Sequence, residues 1–282
     1  MLYQKLSILF ICLTLIFIFY QEILNHADRL VYGKLRKKTV RSFCRECITK
    51  NVEKKQELSD KYLVKEYFKN NNYKNLKTTK TILKTKNLDE IKNFDFGEKY
   101  LVKSTYGSHR NLLVDKKTSM KNIMESTKNW LRDKWHHSDE PQYKYEYNNI
   151  IIEEFINIDY EIKSIVVKGN IIFHYAFQEG GSTVYYDQEK KLIEDIMFSE
   201  KLTRKIKNTR TEIPEIEDKL TIVEESINKF YLETGFDFFR FDVYVTKEGD
   251  VYLGEITFTP ERCRFKLPNY YYNTKIYDNY VK

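Results

Sequence analysis

The apolar positions of this chain change period several times, and each change marks an element. From Phe239 to Pro260 they recur at every second residue along two arms, FRFDVYV and VYLGEITF, with Lys247-Glu248-Gly249-Asp250 between them. That is the period of half-buried strands joined by a tight turn, so the pattern predicts a hairpin. The same period predicts strands over 100–104 and 111–114 about the turn Tyr106-Gly107-Ser108, and an apolar strand over 150–156. It further predicts strands over 161–167 and 171–178 about Lys168-Gly169-Asn170, and one near 183–187. A period of three to four predicts helices over 60–68 with Ser59 as cap, over 120–135, and over 216–234 with Gly235 as the stop. Residues 76–94 read as a short strand or helix around 81–83 and a helix from Leu88. Strand pairs interrupted by helices predict an α+β fold: two antiparallel sheets with helices packed against them.

The amino terminus follows neither period. Leu6 to Tyr20, LSILFICLTLIFIFY, is uncharged. As a helix it is roughly 22 Å long, against ~30 Å for a hydrocarbon core. Extension to Leu24 nearly reaches that length and takes in Gln21 and Glu22. An uncleaved membrane helix and a signal-peptide core are the rival readings. No small-x-small cleavage site follows, so the sequence is read as an anchor. Basic residues crowd the stretch from Arg29 to Lys55 and account for much of the net charge of +7. Such a run also suits nucleic acid, but its place behind an apolar segment points to a membrane surface, and no nucleic-acid motif accompanies it. The positive side stays cytoplasmic, which predicts a single-pass protein with its main domain facing the cytoplasm; entry into the secretory pathway is the alternative.

The 282 residues are 41% hydrophobic and 15% aromatic, enough for a sizeable core, and 9 Gly with 4 Pro exclude a low-complexity chain. The expected organisation is an anchor over 1–24, a basic juxtamembrane stalk over 25–57, a main domain over 58–270 and a tail over 271–282. Of the 4 cysteines, Cys12 lies in the anchor, Cys44 and Cys47 form a lone C-x-x-C, and Cys263 is distant. One such pair without a nearby His is a weak zinc signal, and nothing in the spacing resembles a disulfide framework, as expected of a reducing compartment.

The chemistry concentrates in the hairpin. Asp242 and Glu255 stand among residues that belong in a core, and burying a bare carboxylate costs several kcal/mol. With Arg240 two residues before the first, they read as a metal site or an acid/base pair, or else as a solvent-facing group beside Arg240 and Thr257.

FRFDVYV and GEITF resemble the closing strands of an ATP-grasp domain, and the nearest resemblance is to the TupA-like ATP-grasp family of cell-surface polymer biosynthesis. Four more strings occur in the family's order: SDKYLVKEYF from Ser59, YLVKSTYGSHRNLLVDKK from Tyr100, NNIIIEEF from Asn148 and DYEIKSIVVKGN from Asp159. The likeness runs from about Leu58 to Pro268. It implies two subdomains, 58–158 and 159–270, with ATP between their sheets. It assigns Lys103 and Lys163 to the phosphates, Gly107 and Ser108 to a backbone cover, and Glu153 or Glu154 to the adenine end. Asp242, Glu255 and Thr257 would hold Mg²⁺, and Arg240 the charge on the transferred phosphoryl group. Arg262, Arg264 and His109 are the substrate candidates; His109 stands where the family has a second glycine. The implied activity is an ADP-forming carboxylate–amine ligase acting on an acidic small molecule or a glycan. Phosphoryl transfer to a sugar and a catalytically degenerate glycan- or partner-binding module are the alternatives.

Overall fold

The computed structural model describes residues 39–132, 140–143, 148–178, 183–193, 213, 215–264 and 277–281. The expected anchor lies outside them. No helix among the described residues is long and apolar enough to cross a membrane.

Among the described residues, ten strands form two sheets. In chain order they are β1 (Leu76–Lys77), β2 (Thr81–Thr85), β3 (Tyr100–Ser104), β4 (Asn111–Val114), β5 (Ile150–Glu154), β6 (Ile158–Val167), β7 (Asn170–Gln178), β8 (Thr183–Tyr186), β9 (Phe238–Thr246) and β10 (Val251–Thr257). The larger sheet runs β1-β10-β9-β6-β7-β8 and the smaller β2-β5-β3-β4. Both were expected to be antiparallel. The smaller is, but β1 pairs parallel to β10, so the larger is mixed. A two-residue strand carries too little periodicity to be seen in sequence.

Among the described residues, the helices of five residues or more are α1 (Val40–Cys47), α2 (Val52–Ser59), α3 (Leu63–Asn70), α4 (Leu88–Lys92), α5 (Met120–Arg132) and α6 (Ile216–Thr234). In α6, Leu220, Val223, Ile227 and Phe230 recur at three to four residues and join one core cluster with Phe239, Phe241, Val243 and Val245 of β9. A second cluster under the smaller sheet gathers Ile91, Val102, Val114, Ile123, Ile150 and Ile152. Ser59 does not cap α3; the side chain at its approach is Asp60, whose Oδ1 accepts from the amides of Tyr62 and Leu63 at 2.8 and 2.9 Å. Ser59 instead ends α2, and its buried hydroxyl has no hydrogen-bond partner among the described residues.

Two expectations are corrected. The described part of the expected stalk, residues 39–57, is not set apart from the main domain but packs into it. Val40, Phe43, Cys44 and Cys47 of α1 are buried against Ile165, Val167, Phe173 and Phe238. The basic residues that suggested a stalk share α1 with an apolar stripe, and the stripe decides its packing. The cysteines are not all unpaired either: Cys44 and Cys263 form a disulfide across 219 residues of sequence, while Cys47 is free and buried. Sequence spacing carries no information about a pair that only the tertiary fold brings together. In the expected tail, Tyr277, Tyr280 and Val281 pack on the same cluster as α1.

Candidate functional site

One irregularity in β10 builds the larger-sheet half of the site. Leu253 pairs with Val243 and Glu255 with Asp242, leaving Gly254 as an unpaired bulge residue. Before the bulge, Val251 and Leu253 face the core; after it, Ile256 and Phe258 do. The extra residue therefore turns Glu255 and Thr257 to the opposite face, where Arg240 and Asp242 of β9 also point. A β-carbon on residue 254 would lie 2.9 Å from the Asp242 carbonyl oxygen, so the close approach of the strands requires glycine.

Arg240 is the hub of this half. Its Nε donates to Asp242 Oδ1 at 2.6 Å and its Nη2 to Asp242 Oδ2 at 2.5 Å. The same Nη2 reaches Glu255 Oε1 at 3.0 Å and Thr257 Oγ1 at 3.2 Å, and Thr257 Oγ1 donates to Glu255 Oε1 at 3.0 Å. Lys163 of β6 sits 3.5 Å from Asp242 Oδ2 and 3.1 Å from Glu161 Oε2. Asp242 is wholly buried. Burial pushes its carboxyl above the ordinary range despite Arg240 and Lys163, and the Glu255 charge adds to that push. Burial acts on Glu255 the same way, but Lys61, Arg240 and Lys163 outweigh it and hold Glu255 below the ordinary range.

The smaller sheet supplies the other half. Lys103 and Glu153 stand on neighbouring strands β3 and β5, on the face opposite the buried Val102 and Ile152. Glu153 is sealed from solvent. Its carboxylate meets Lys103 Nζ at 3.0 Å, contacts Lys65 Nζ, and accepts from Thr79 Oγ1 at 3.2 Å. Burial raises the Glu153 carboxyl, but Lys103 and Lys65 overcome it and keep Glu153 ionised; burial lowers the Lys65 ammonium to about 8. Both oxygens of Glu153 are thus committed to its neighbours, and the group orients Lys103. Glu154 faces the other way and accepts from the Lys80 amide at 2.7 Å. Leu101 and Leu113 pair on the Lys103 face, and Leu113 is 49% exposed.

Between the halves lies Lys61, which the sequence reading did not single out. Its Nζ donates to the Gly107 carbonyl at 2.7 Å, and its amide to Thr105 O at 2.9 Å. Burial lowers the Lys61 ammonium, while Glu255 of the larger sheet and Glu153 of the smaller both act to raise it. Charges of the two sheets therefore meet at one side chain. Tyr244 on β9 senses the same convergence: burial raises its hydroxyl, and Glu161, Glu255, Asp242 and Glu153 add to the effect. A lysine between an acid-flanked helix start and a tyrosine looks in sequence like any solvated cation; only its place beside Asp60 in SDKYLVKEYF marked it.

The glycine turn covers this region. Gly107 takes φ +83°, a left-handed conformation, and is buried; Ser108 and His109 are exposed. His109 also takes a left-handed φ of 58°. A side chain there carries a conformational cost that glycine does not. Of the remaining sequence candidates, Arg262 lies 3.5 Å from Glu140 Oε2 and Arg264 is exposed beyond the turn after β10. Gln142 and Tyr143 were also missed. Gln142 Nε2 donates to Thr259 Oγ1 at 2.6 Å, and the Tyr143 ring meets Tyr106 edge-on at 6.3 Å. They come from a connection with no periodic pattern to reveal it.

The structure thus brings Lys103 to Glu153 on the smaller sheet, and Lys163, Arg240, Asp242, Glu255 and Thr257 together on the larger, while Lys61, bound to the Gly107 carbonyl, feels acids of both. The donor set fits Mg²⁺ bound to a polyphosphate: two carboxylates and a hydroxyl, all hard oxygen donors, with four cations around them. Among the described residues no group of three or more His, Cys, Asp and Glu forms a metal cage. Mg²⁺ bound through one or two carboxylates and substrate phosphates needs none.

No family model matches the sequence, and no curated protein matches it. Among solved structures the chain is similar to D-alanine–D-alanine ligase from Bacillus anthracis, with 18% identity over 79% of this chain and 66% of that one, at a TM-score of 0.46. It is similar to L-amino acid ligase from Bacillus licheniformis, with 16% identity over 70% of this chain and 42% of that one, at 0.44. A third likeness is to the ATP-grasp ligase PsnB complexed with a precursor variant, Mg and ADP, with 11% identity over 83% of this chain and 60% of that one, at 0.44. The chain spans less than two thirds of each of these proteins.

Proposed function

We propose that this protein is an ATP-grasp enzyme that joins a carboxylate to an amine, with ADP as the nucleotide product. The observation that carries the reading is the convergence of Lys61, Lys103, Lys163 and Arg240 with Asp242 and Glu255, contributed from both sheets. With their own partners included, five cations (Lys61, Lys65, Lys103, Lys163 and Arg240) stand against four acids (Glu153, Glu161, Asp242 and Glu255), and cations held beside hard oxygen donors suit a metal-bound phosphate.

Mg·ATP would supply the phosphoryl group that activates the donor carboxylate. Asp242 and Glu255 would hold the metal, with Thr257 beside Glu255. Lys61 and Lys103 would bind phosphate oxygens from the smaller-sheet side, and Lys163 from the larger. Glu153 positions Lys103 by binding its ammonium. Arg240, whose charge is secured by Asp242, stabilises negative charge that develops during transfer. Leu101 and Leu113 offer an apolar seat for a purine on the Lys103 face. The left-handed Gly107 lets backbone N–H groups of the turn approach phosphate.

The resemblance to TupA-like proteins supports a glycan or envelope-polymer precursor as one substrate, and the apolar segment over 6–20 supports action at a membrane. Full-length protein with Mg·ATP should release ADP when a panel of acids and amines contains the right pair. Asp242→Asn and Glu255→Gln should each abolish that release. Equal ATP consumption by both variants and the parent would contradict the site assignment.

A further inference from the structure

The Cys44–Cys263 disulfide is joined to the candidate site by one short stretch of chain. Cys44 lies on α1, and Cys263 closes the turn Pro260–Cys263 that follows β10 directly. Glu255 and Thr257 are on β10, and Phe258 is next. Cys44 Sγ lies 3.9 Å from the Phe258 carbonyl, and the Lys55 ammonium sits over the Phe258 ring at 5.6 Å. Thr259 is gripped by Gln142. The end of the metal strand is therefore fixed by contacts that the disulfide holds in register.

The turn itself is strained. Glu261, Arg262 and Cys263 take φ of 48°, 56° and 57°, three successive non-glycine residues in the left-handed region. Such residues persist only where the surroundings impose them. The turn has two backbone hydrogen bonds, Arg262 N to Thr259 O at 2.8 Å and Arg264 N to Glu261 O at 3.0 Å. The Arg262–Glu140 ion pair and the covalent link to α1 restrain it further. Cys263 is buried, but Glu261 and Arg264 beside it are exposed, so local opening of the turn admits a small reagent.

We propose that Cys44–Cys263 is a redox modification site that couples thiol state to the geometry of Glu255 and Thr257. The proposal rests on reading the cleft as a Mg·ATP site. A dithiol reductant delivers two electrons and two protons: the S–S bond breaks, Cys44 and Cys263 become thiols, and the reductant becomes its own disulfide. The turn then relaxes out of the left-handed region and the end of β10 loosens. Cys47 does not substitute for either partner in the closed form. Burial raises its thiol to about 11, so little of the reactive thiolate is present at neutral pH.

The test compares air-oxidised and dithiothreitol-treated full-length protein by intact mass, hydrogen exchange and Mg·ATP titration. The oxidised form should be lighter by two hydrogens. Reduction should speed exchange in 255–264 and 40–47 while the β6–β9 pair stays protected. It should weaken Mg·ATP binding about tenfold, the scale on which small misplacements of binding groups act. Cys263→Ser should reproduce the reduced state under oxidising conditions, and Cys47→Ser should behave as the parent. Unchanged exchange at 255–264 overturns the proposal, as does global loss of protection on reduction or an oxidised protein with all its thiols free. If exchange responds to reduction but neither form binds Mg·ATP, the nucleotide reading fails and the redox coupling of β10 stands.

Discussion

Gly254→Ala tests how the fold makes the site. The added β-carbon would sit 2.9 Å from the Asp242 carbonyl oxygen, 3.2 Å from Tyr244 Cε2 and 3.3 Å from the Asp242 carbonyl carbon. Two of these are backbone atoms of the neighbouring strand, so no side-chain rotation relieves them. Ordinary contact is about 3.5 Å, so β10 must retreat from β9 by roughly half an ångström at this point. The retreat falls between Leu253, packed in the core, and Glu255, paired with Asp242. Overpacking of this kind costs about 1–3 kcal/mol. Urea denaturation should show that loss as a lower midpoint with an unchanged slope. Because Glu255 is the next residue, Mg·ATP binding or turnover should fall by about tenfold to a hundredfold, the range for a misplaced group. Gly235→Ala is the control: it has an unfavourable φ, +65°, which Gly254 lacks, but no atom of the described residues lies within 4 Å of its β-carbon and it lies outside both β9 and β10. It should lose some stability and keep its nucleotide affinity. If Gly254→Ala matches the parent in both measurements, the bulge does not set the position of Glu255.

Three further outcomes follow from the charges and backbone of the cleft. Glu153→Gln leaves Lys65 and Lys103 without their buried counter-charge and should cost about 3–5 kcal/mol in chemical denaturation; a loss under 1 kcal/mol would contradict the pairing. His109→Gly releases a left-handed side-chain residue and should raise the melting midpoint, by a gain of about 1 kcal/mol; a fall would show that the imidazole makes a compensating contact. Lys61 has its folded-state proton affinity lowered, chiefly by burial. Its charge is full on the acid side and is lost as pH rises through a folded pKa below the ordinary lysine range. Nucleotide affinity should therefore decline on the alkaline side earlier than an exposed lysine permits. Lys61→Arg should move that decline to higher pH, and an identical profile in the two proteins would exclude Lys61 from the phosphate site.

The sequence revealed most where periodicity was regular. Phe239, Phe241, Val243 and Val245 alternate without interruption, and β9 lies where that alternation puts it. The α6 spacing likewise survives in the packing of Leu220, Val223, Ile227 and Phe230. What escaped depends on breaks in period or on distant contacts. A strict alternation from Val251 would send Glu255 to the core with Leu253, and only the bulge at Gly254 reverses this. Glu153 could be placed on the cleft face by alternation with Ile152, but not its two lysine partners, because Lys65 comes from a helix 88 residues earlier. Lys61 was hidden by the general solvation of lysines. Cys44 and Cys263 gave no sign of pairing, and the basic composition around α1 masked the stripe that docks it.

The most direct measurement of the central claim is calorimetric titration of full-length protein with ATP, in Mg²⁺ and again in EDTA, repeated on the Asp242→Asn/Glu255→Gln double variant. Saturable binding near one nucleotide per chain, present with Mg²⁺ and lost in both EDTA and the variant, is the predicted result. Absence of saturable heat at millimolar nucleotide, or binding indifferent to metal and to both acids, would contradict it.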